Sequence, residues 1–208
     1  MTAGIVIAKL PVAGRVKTRL CPPLSAGCAA EIAEACLRDT LDAIRNTEGV
    51  SRRVAVLERF DVDPPGWMAD FEIIDQTEGG LDRRLAAAFR EVGEPAVLVG
   101  MDTPQASPHE IGVAVRALDR ASSTIGFALD GGFWIIGLHQ SDDRVFLDVP
   151  MSTPHTGEAQ LARLRSLGHE PVIVDSMRDM DEIADLAYLC EAFPQTRAAR
   201  LWASTRAS

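Results

Sequence analysis

Lys9, Pro11, Gly14, Arg15, Lys17 and Arg19 follow directly on the apolar run Ile5-Val6-Ile7-Ala8. Four cations and a glycine at this spacing suit an anion. Gly14 lets backbone N–H groups approach closely, while Lys and Arg supply charge and bidentate donors. A di- or triphosphate is the ligand this cluster points to. The competing reading is a solvated basic loop, but the whole chain carries a formal charge of −9, so local positive charge stands out. The β-branched run before the cluster fits a buried strand. That places the cations at the carboxyl edge of a parallel sheet, where open α/β sheets bind their ligands. The stretch satisfies neither G-x-x-x-x-G-K-[ST] nor G-x-G-x-x-G, so neither a P-loop NTPase nor a dinucleotide-binding Rossmann enzyme fits.

Further along, Gly100-Met101-Asp102-Thr103-Pro104 puts a carboxylate immediately after the apolar run 96–101. One hard anion beside bound phosphates is what Mg²⁺ or Mn²⁺ requires; the alternative is an Asx turn or a cap for a helix near Pro108. Leu129-Asp130-Gly131-Gly132-Phe133-Trp134 reads as a tight hairpin turn. Gln76 to Leu85 is a glycine-rich turn into a helix start. Its Gly80, Arg84 and Gln76 could cradle an anion or the edge of a base, or simply start the helix. Asp179, Asp181 and Glu182 fall where a helix dipole favours acids. His155, in Pro150 to His155, is a minor candidate, and His109, His139 and His169 carry no pattern. Cys21, Cys28, Cys36 and Cys190 form no C-x-x-C pair and read as reduced and structural.

The elements that must hold these residues alternate between strand and helix. Helices are expected from Ser25 as N-cap to about Asn46, from Gly79-Gly80 onward, over 108–120, 156–167 and 181–192, and at the carboxyl end over 197–208. Strands are expected at the first apolar run and over 53–58, 71–75, 96–101 and 171–175, with two more within 124–138. Such alternation means a mostly parallel sheet covered on both faces, with one antiparallel excursion at Gly131-Gly132. At 208 residues, 47% hydrophobic and 25% charged, the chain suits one globular domain. Its acidity argues against a nucleic-acid-binding surface. The absence of a signal pattern or a membrane-length apolar run makes the cytoplasm the expected location.

The loop AKLPVAGRVKTRL resembles that of the DUF2064, or radical-SAM/selenodomain-associated glycosyltransferase-like, family. These small bacterial proteins are related to nucleotide-diphospho-sugar transferases. More distantly, the loop looks like the G-x4-K-x-R-L loop of small nucleotidyltransferases. Gly100 to Pro104 resembles the family's G-S-D-x-P, with Met101 in place of a small residue. IGFALDGGFWIIGL is similar to its G-P-A-x-D-G-G-Y-x-L-x-G-L, with Phe127 for proline and Phe133 for tyrosine. Gln76 to Arg84 resembles Q-x-x-G-x-L-G-x-R, with Asp82 for glycine, and Ser152-Thr153 resembles W-S-T, with Met151 for tryptophan. Arg178 to Glu182 resembles the D-x-D-T-P-E-D-L ending, whose Thr-Pro is replaced by Glu182-Ile183.

The resemblance implies a single-domain GT-A-like α/β sandwich over 1–208, with a peripheral C-terminal helix at about 197–208. Lys9, Gly14, Arg15, Lys17, Arg19, Gln76, Gly80 and Arg84 would bind the nucleotide. Asp102 with Asp181, or Asp179 instead, would hold Mg²⁺ or Mn²⁺. Lys17, Asp102 and Asp130 would act in catalysis, Asp130 by positioning the acceptor. The implied reaction is nucleotidyl transfer from a nucleoside triphosphate to a small phosphorylated or anionic metabolite, with release of pyrophosphate. Glycosyl transfer from an NDP-sugar is the alternative. The departures at Met101, Asp82, Phe133 and Glu182 motivate a third reading, a nucleotide-binding protein without turnover. The expected partners are small molecules, with neither nucleic acid nor membrane, and the residues indicate no oligomeric state.

Overall fold

The structure, a computed structural model, describes residues 1–93 and 95–206. The apolar runs become strands β1 (Thr2–Lys9), β2 (Val50–Glu58), β3 (Glu72–Asp75), β4 (Ala96–Gly100), β5 (Ser123–Ala128), β6 (Phe133–Leu138) and β7 (Val172–Met177). Between and after them run α1 (Ala26–Arg45), α2 (Leu81–Val92), α3 (Pro108–Ala117), α4 (Thr156–Ser166), α5 (Ile183–Ala192) and α6 (Arg197–Arg206). The strands form one sheet in the order β3-β2-β1-β4-β6-β5-β7. Every pairing is parallel except those of β6, which runs antiparallel to both β4 and β5. The mixed, mostly parallel sheet expected from the strand–helix alternation is therefore what forms. The single excursion is the β5–β6 hairpin closed by Asp130-Gly131-Gly132.

Both faces of the sheet are apolar, as the unbroken run in β1 requires. Val6 and Ala8 pack with Leu37, Leu41 and Ile44 of α1 and Ile111 of α3. Ile5, one residue out of phase, packs with Leu85 and Phe89 of α2 on the opposite face. The outer flank of α1 carries Ile32 and Cys36 against Leu186 and Leu189 of α5 and Ala198 of α6. Arg197 at the start of α6 pairs with Asp39 at 2.7 Å and Asp42 at 2.5 Å on α1. The C-terminal helix is thus held to the body by burial and by charge; Ala207 and Ser208 lie outside the described residues. Among the described residues no helix is long and apolar enough to cross a membrane.

Caps decide what the loops are free to do. Ser25 caps α1 by accepting from the Cys28 amide at 3.2 Å, as expected. Ser107 and Glu110 form the capping box of α3, so Asp102 is not needed as its cap. The helix expected from Asp181 starts two residues later. Asp185 accepts from the Glu182 amide at 2.8 Å and the Asp181 amide at 3.2 Å, which closes the helix at Glu182. Asp181 is left in the loop leaving β7.

Gly131 carries the strictest local constraint. Its φ is +94°, and a Cβ there would overlap the Pro154 carbonyl just before α4. Gly14 also has positive φ, +77°, but nothing lies within 4 Å of an added Cβ. Gly131→Ala should therefore cost about 2–4 kcal/mol, strain and overpacking together, while Gly14→Ala costs about 1 kcal/mol from strain alone. Urea unfolding midpoints of the two variants check the difference.

Candidate active site

Three loops leave the carboxyl edge of the sheet and meet at one ammonium group. The loop after β1 brings Lys17, which sits in the left-handed region at φ 47° and ψ 38° and opens a single 3-10 turn, Thr18–Leu20. A long side chain in that conformation costs on the order of 1 kcal/mol or more, and persists only where its surroundings over-determine it. They do so here. The Lys17 Nζ donates to Asp181 Oδ1 at 2.9 Å and to the Met180 carbonyl oxygen, and it pairs with Asp102. The loops after β4 and β7 are also joined directly, the Met180 amide donating to the Asp102 carbonyl oxygen at 2.7 Å.

Burial on its own would disfavour the Lys17 ammonium, whose side chain is only 6% exposed. The charges of Asp102 and Asp181 more than offset that and hold its pKa above the ordinary lysine range. The two carboxylates are themselves 41% and 38% exposed, so they face the cleft as well as the lysine. Cys36 of α1 lies beneath, fully buried; burial pushes its thiol up to about 12, so it stays neutral. All four cysteines are free thiols.

Asp179 is the most perturbed group. Burial, then the charges of Asp102, Asp130 and Asp181, push its carboxyl up to about 8, with Lys17 opposing. Its Oδ1 is buried without a hydrogen-bond partner. Asp130 forms the Asx turn, Oδ1 accepting from the Gly132 amide at 2.8 Å, and it also lines the cleft. Asp102, Asp130, Asp179 and Asp181 share one cleft of about 490 Å³ with Lys9, Arg15, Lys17, Arg19, Gln76 and Arg84.

The remaining expected binding residues divide into two groups. Arg15 lies over the Phe60 ring, 5.5 Å from its centroid, with no ion-pair partner among the described residues; Arg19 is 70% exposed and reaches Asp181 at 3.3 Å. These two are available to a ligand. Lys9 pairs with Glu58 at 3.2 Å, and Arg84 binds Glu58 at 3.0 Å, the Gln76 side-chain oxygen at 3.0 Å and the Gly79 carbonyl at 3.0 Å. Gln76 in turn donates to the carbonyls of Ala8 at 2.8 Å and Val56 at 3.2 Å. Glu58 thus absorbs two expected phosphate ligands, and Lys9 and Arg84 hold its pKa below the usual range although burial alone would raise it. Gly14 and Gly80 line no part of the cleft: one is an exposed turn and the other the N-cap of α2. His155 is exposed and pairs with Glu158 at 3.6 Å, away from the cleft.

Thr103 lines the cleft, Glu58 and Phe60 touch its Lys9, Arg84 and Arg15 from outside the lining, and the sequence reading singles out none of the three. Glu58 carries the signal that singled out Asp102, an acid ending an apolar strand. Thr103 is buried at the cleft with its hydroxyl unpartnered, and nothing in its neighbours marks it. Among the described residues no group of three or more His, Cys, Asp or Glu forms a ready metal shell. Mg²⁺ typically needs fewer, one or two carboxylates completed by phosphate oxygens. Asp102 and Asp181, converging on one point with the orphaned Asp179 oxygen nearby, fit that requirement.

The sign of the Asp179 effect on stability follows from its raised pKa. The folded protein binds that proton more tightly than the unfolded chain, so the stabilisation is complete below about pH 4 and is lost as pH rises through about 8. Thermal melts without added metal should show the melting temperature falling from pH 5 to pH 8. Asp179→Asn should flatten that fall and melt higher than the wild type at pH 8.

Residues 40–153 match the family model described as "Uncharacterized protein conserved in bacteria (DUF2064)". No curated protein matches the sequence. A protein of Desulfovibrio desulfuricans G20, proposed to be a nucleotide-diphospho-sugar transferase, superposes with a TM-score of 0.84. Its identity is 20%, over 100% of this chain and 96% of that one. CMP:2-keto-3-deoxy-manno-octonic acid synthetase complexed with CTP superposes with a TM-score of 0.55. Its identity is 13%, over 94% and 99% of the two chains. Rv0371c of Mycobacterium tuberculosis H37Rv, in complex with manganese, gives 0.50 at 15% identity over 92% and 100%. At these identities the likeness is one of fold, that of nucleotidyl- and sugar-transferases. With more than half of its length matched to the family model, the chain belongs to the DUF2064 family.

Proposed function

We propose that the protein is a metal-dependent, nucleotide-using transferase that moves a nucleotidyl group from a nucleoside triphosphate to a small acceptor and releases pyrophosphate. The observation that carries this reading is the joint grip of Asp102 and Asp181 on Lys17, with Arg15 and Arg19 beside it. Cations and acids brought together at one sheet edge suit a phosphate chain. The CTP bound by the octonic acid synthetase and the manganese in Rv0371c, both proteins of this fold, support the same reading.

In the proposed reaction Arg15, Arg19 and Lys17 hold the terminal phosphates. Lys17 lines the same cleft as Arg15 and Arg19, beside Asp102 and Asp181. The acceptor oxygen bonds to the α-phosphorus as the bond to the α–β bridging oxygen breaks, and pyrophosphate departs toward these cations. Asp130 accepts a hydrogen bond from the incoming hydroxyl, aims it, and takes its proton as the new P–O bond forms. Asp102 and Asp181 would hold Mg²⁺ or Mn²⁺, and the cation would supply charge to offset that of the phosphates. No dedicated nucleophile is required, because alignment and charge stabilisation carry the chemistry. Glycosyl transfer from an NDP-sugar is the second reading, favoured by the overlap with the Desulfovibrio desulfuricans protein.

The test is pyrophosphate release with each nucleoside triphosphate and Mg²⁺ over a panel of acceptors. Asp102→Asn should lower kcat at least about 100-fold. Arg15→Ala should weaken nucleotide binding about tenfold, the worth of one charge-assisted contact. Release of a nucleoside diphosphate from an NDP-sugar, with no pyrophosphate from any triphosphate, would decide for the second reading. Nucleotide binding with neither product would leave a binding protein without turnover.

A further inference from the structure

We infer that the acceptor is an uncharged hydroxyl compound with an apolar face, and not a phosphorylated or otherwise anionic one. This deepens the proposed reading and rests on it.

Charge is segregated across the cleft. Its cations, Lys9, Arg15, Lys17, Arg19 and Arg84, come from the β1 loop and from α2. From Gly100 onward the lining holds four aspartates and, among the described residues, no Lys, Arg or His. The sheet order puts β4 with Asp102 between β1 and β6. Terminal phosphates held by the β1 loop therefore leave the acceptor to approach from the β6 side.

Among the described residues, that side of the lining carries no cation for an anion. Phe133 and Met151 present apolar surface, both partly buried against the α2 cluster. The start of α4 could hold a phosphate if its amides were free, but they are engaged. The Thr153 amide donates to Thr156 Oγ1 at 3.0 Å and the His155 amide to Thr153 Oγ1 at 3.3 Å. The Thr156 amide donates to the Thr153 carbonyl at 3.1 Å and the Gly157 amide to the Gly131 carbonyl at 2.8 Å. The Thr156 hydroxyl donates to the Pro150 carbonyl at 2.9 Å. Among the described lining residues of the β5–β6 hairpin and the approach to α4, the charged one is Asp130. An acceptor phosphate would set a second anion against it with no lining cation to compensate, whereas a neutral hydroxyl can donate to it. An uncharged sugar or polyol meets both halves of the requirement, donating to Asp130 and laying a C–H face on Phe133.

The test is ligand-observed NMR on full-length protein loaded with Mg²⁺ and a nucleotide. The probes are matched pairs: glucose and glucose 6-phosphate, ribose and ribose 5-phosphate, glycerol and glycerol 3-phosphate. Neutral members should bind at least tenfold more tightly than their phosphates, and Asp130→Lys, checked for fold by its melting curve, should reverse the order. Tighter binding of the phosphates, no binding by any neutral member, or an order unchanged in Asp130→Lys would overturn the inference. The same neutral ring could arrive as the sugar of an NDP-sugar; exclusion of free glucose by UDP-glucose, but not by UDP, would make this wall a donor-sugar subsite and overturn the inference. Failure of the underlying reading looks different, because no nucleoside triphosphate would then yield pyrophosphate, whichever member of each pair binds.

Discussion

One buried ammonium sets the terms for the rest of the site. Lys17 is held by carboxylates from two other loops and by a backbone carbonyl, with its own backbone in a conformation that glycine would adopt more easily. Remove its charge and the carboxylates of Asp102, Asp130 and Asp181 share one cleft with no cation set between them. The sheet beneath exists, for this purpose, to bring the ends of β1, β4 and β7 within reach of that group. β1 and β4 are adjacent, but β7 lies at the sheet's far edge. Its loop must cross over β5 and β6, and the Met180 to Asp102 backbone bond anchors it when it arrives.

How much of this was legible depended on whether the information is local. The strand–cation junction at Ala8-Lys9, the acid after β4 and the Asp-Gly-Gly hairpin are local patterns, and each lies where its neighbours imply. Glu58 was invisible because its effect depends on β2 lying beside β1 and on α2 reaching back over their ends, which only the sheet order settles. The neutralisation of Lys9 and Arg84 was lost with it. Asp181 was placed in a helix because Asp179, Asp181 and Glu182 suit a first turn, whereas Asp185 supplies the cap and leaves Asp181 in the loop. The burial of Asp179 was hidden too, since an acid two residues from another ordinarily faces water.

In the proposed reading, the charges that would gather a phosphate chain also make the site directional. Glu58 pairs with Lys9 and Arg84, while Arg19 reaches Asp181 and Arg15 has no ion-pair partner among the described residues. Past Asp102 the lining turns acidic and apolar. A ligand with a charged tail and a neutral head can therefore enter in one orientation. This is how a chain of net negative charge could still bind a polyanion.

The central claim is that the acids gripping Lys17 serve a metal-bound phosphate chain, and calorimetric titration of nucleoside triphosphates with and without Mg²⁺ tests it most directly. The account predicts binding at least tenfold tighter with Mg²⁺ in the wild type, with that increment gone in Asp102→Asn. Equal affinity with and without the metal, unchanged by Asp102→Asn, would contradict it.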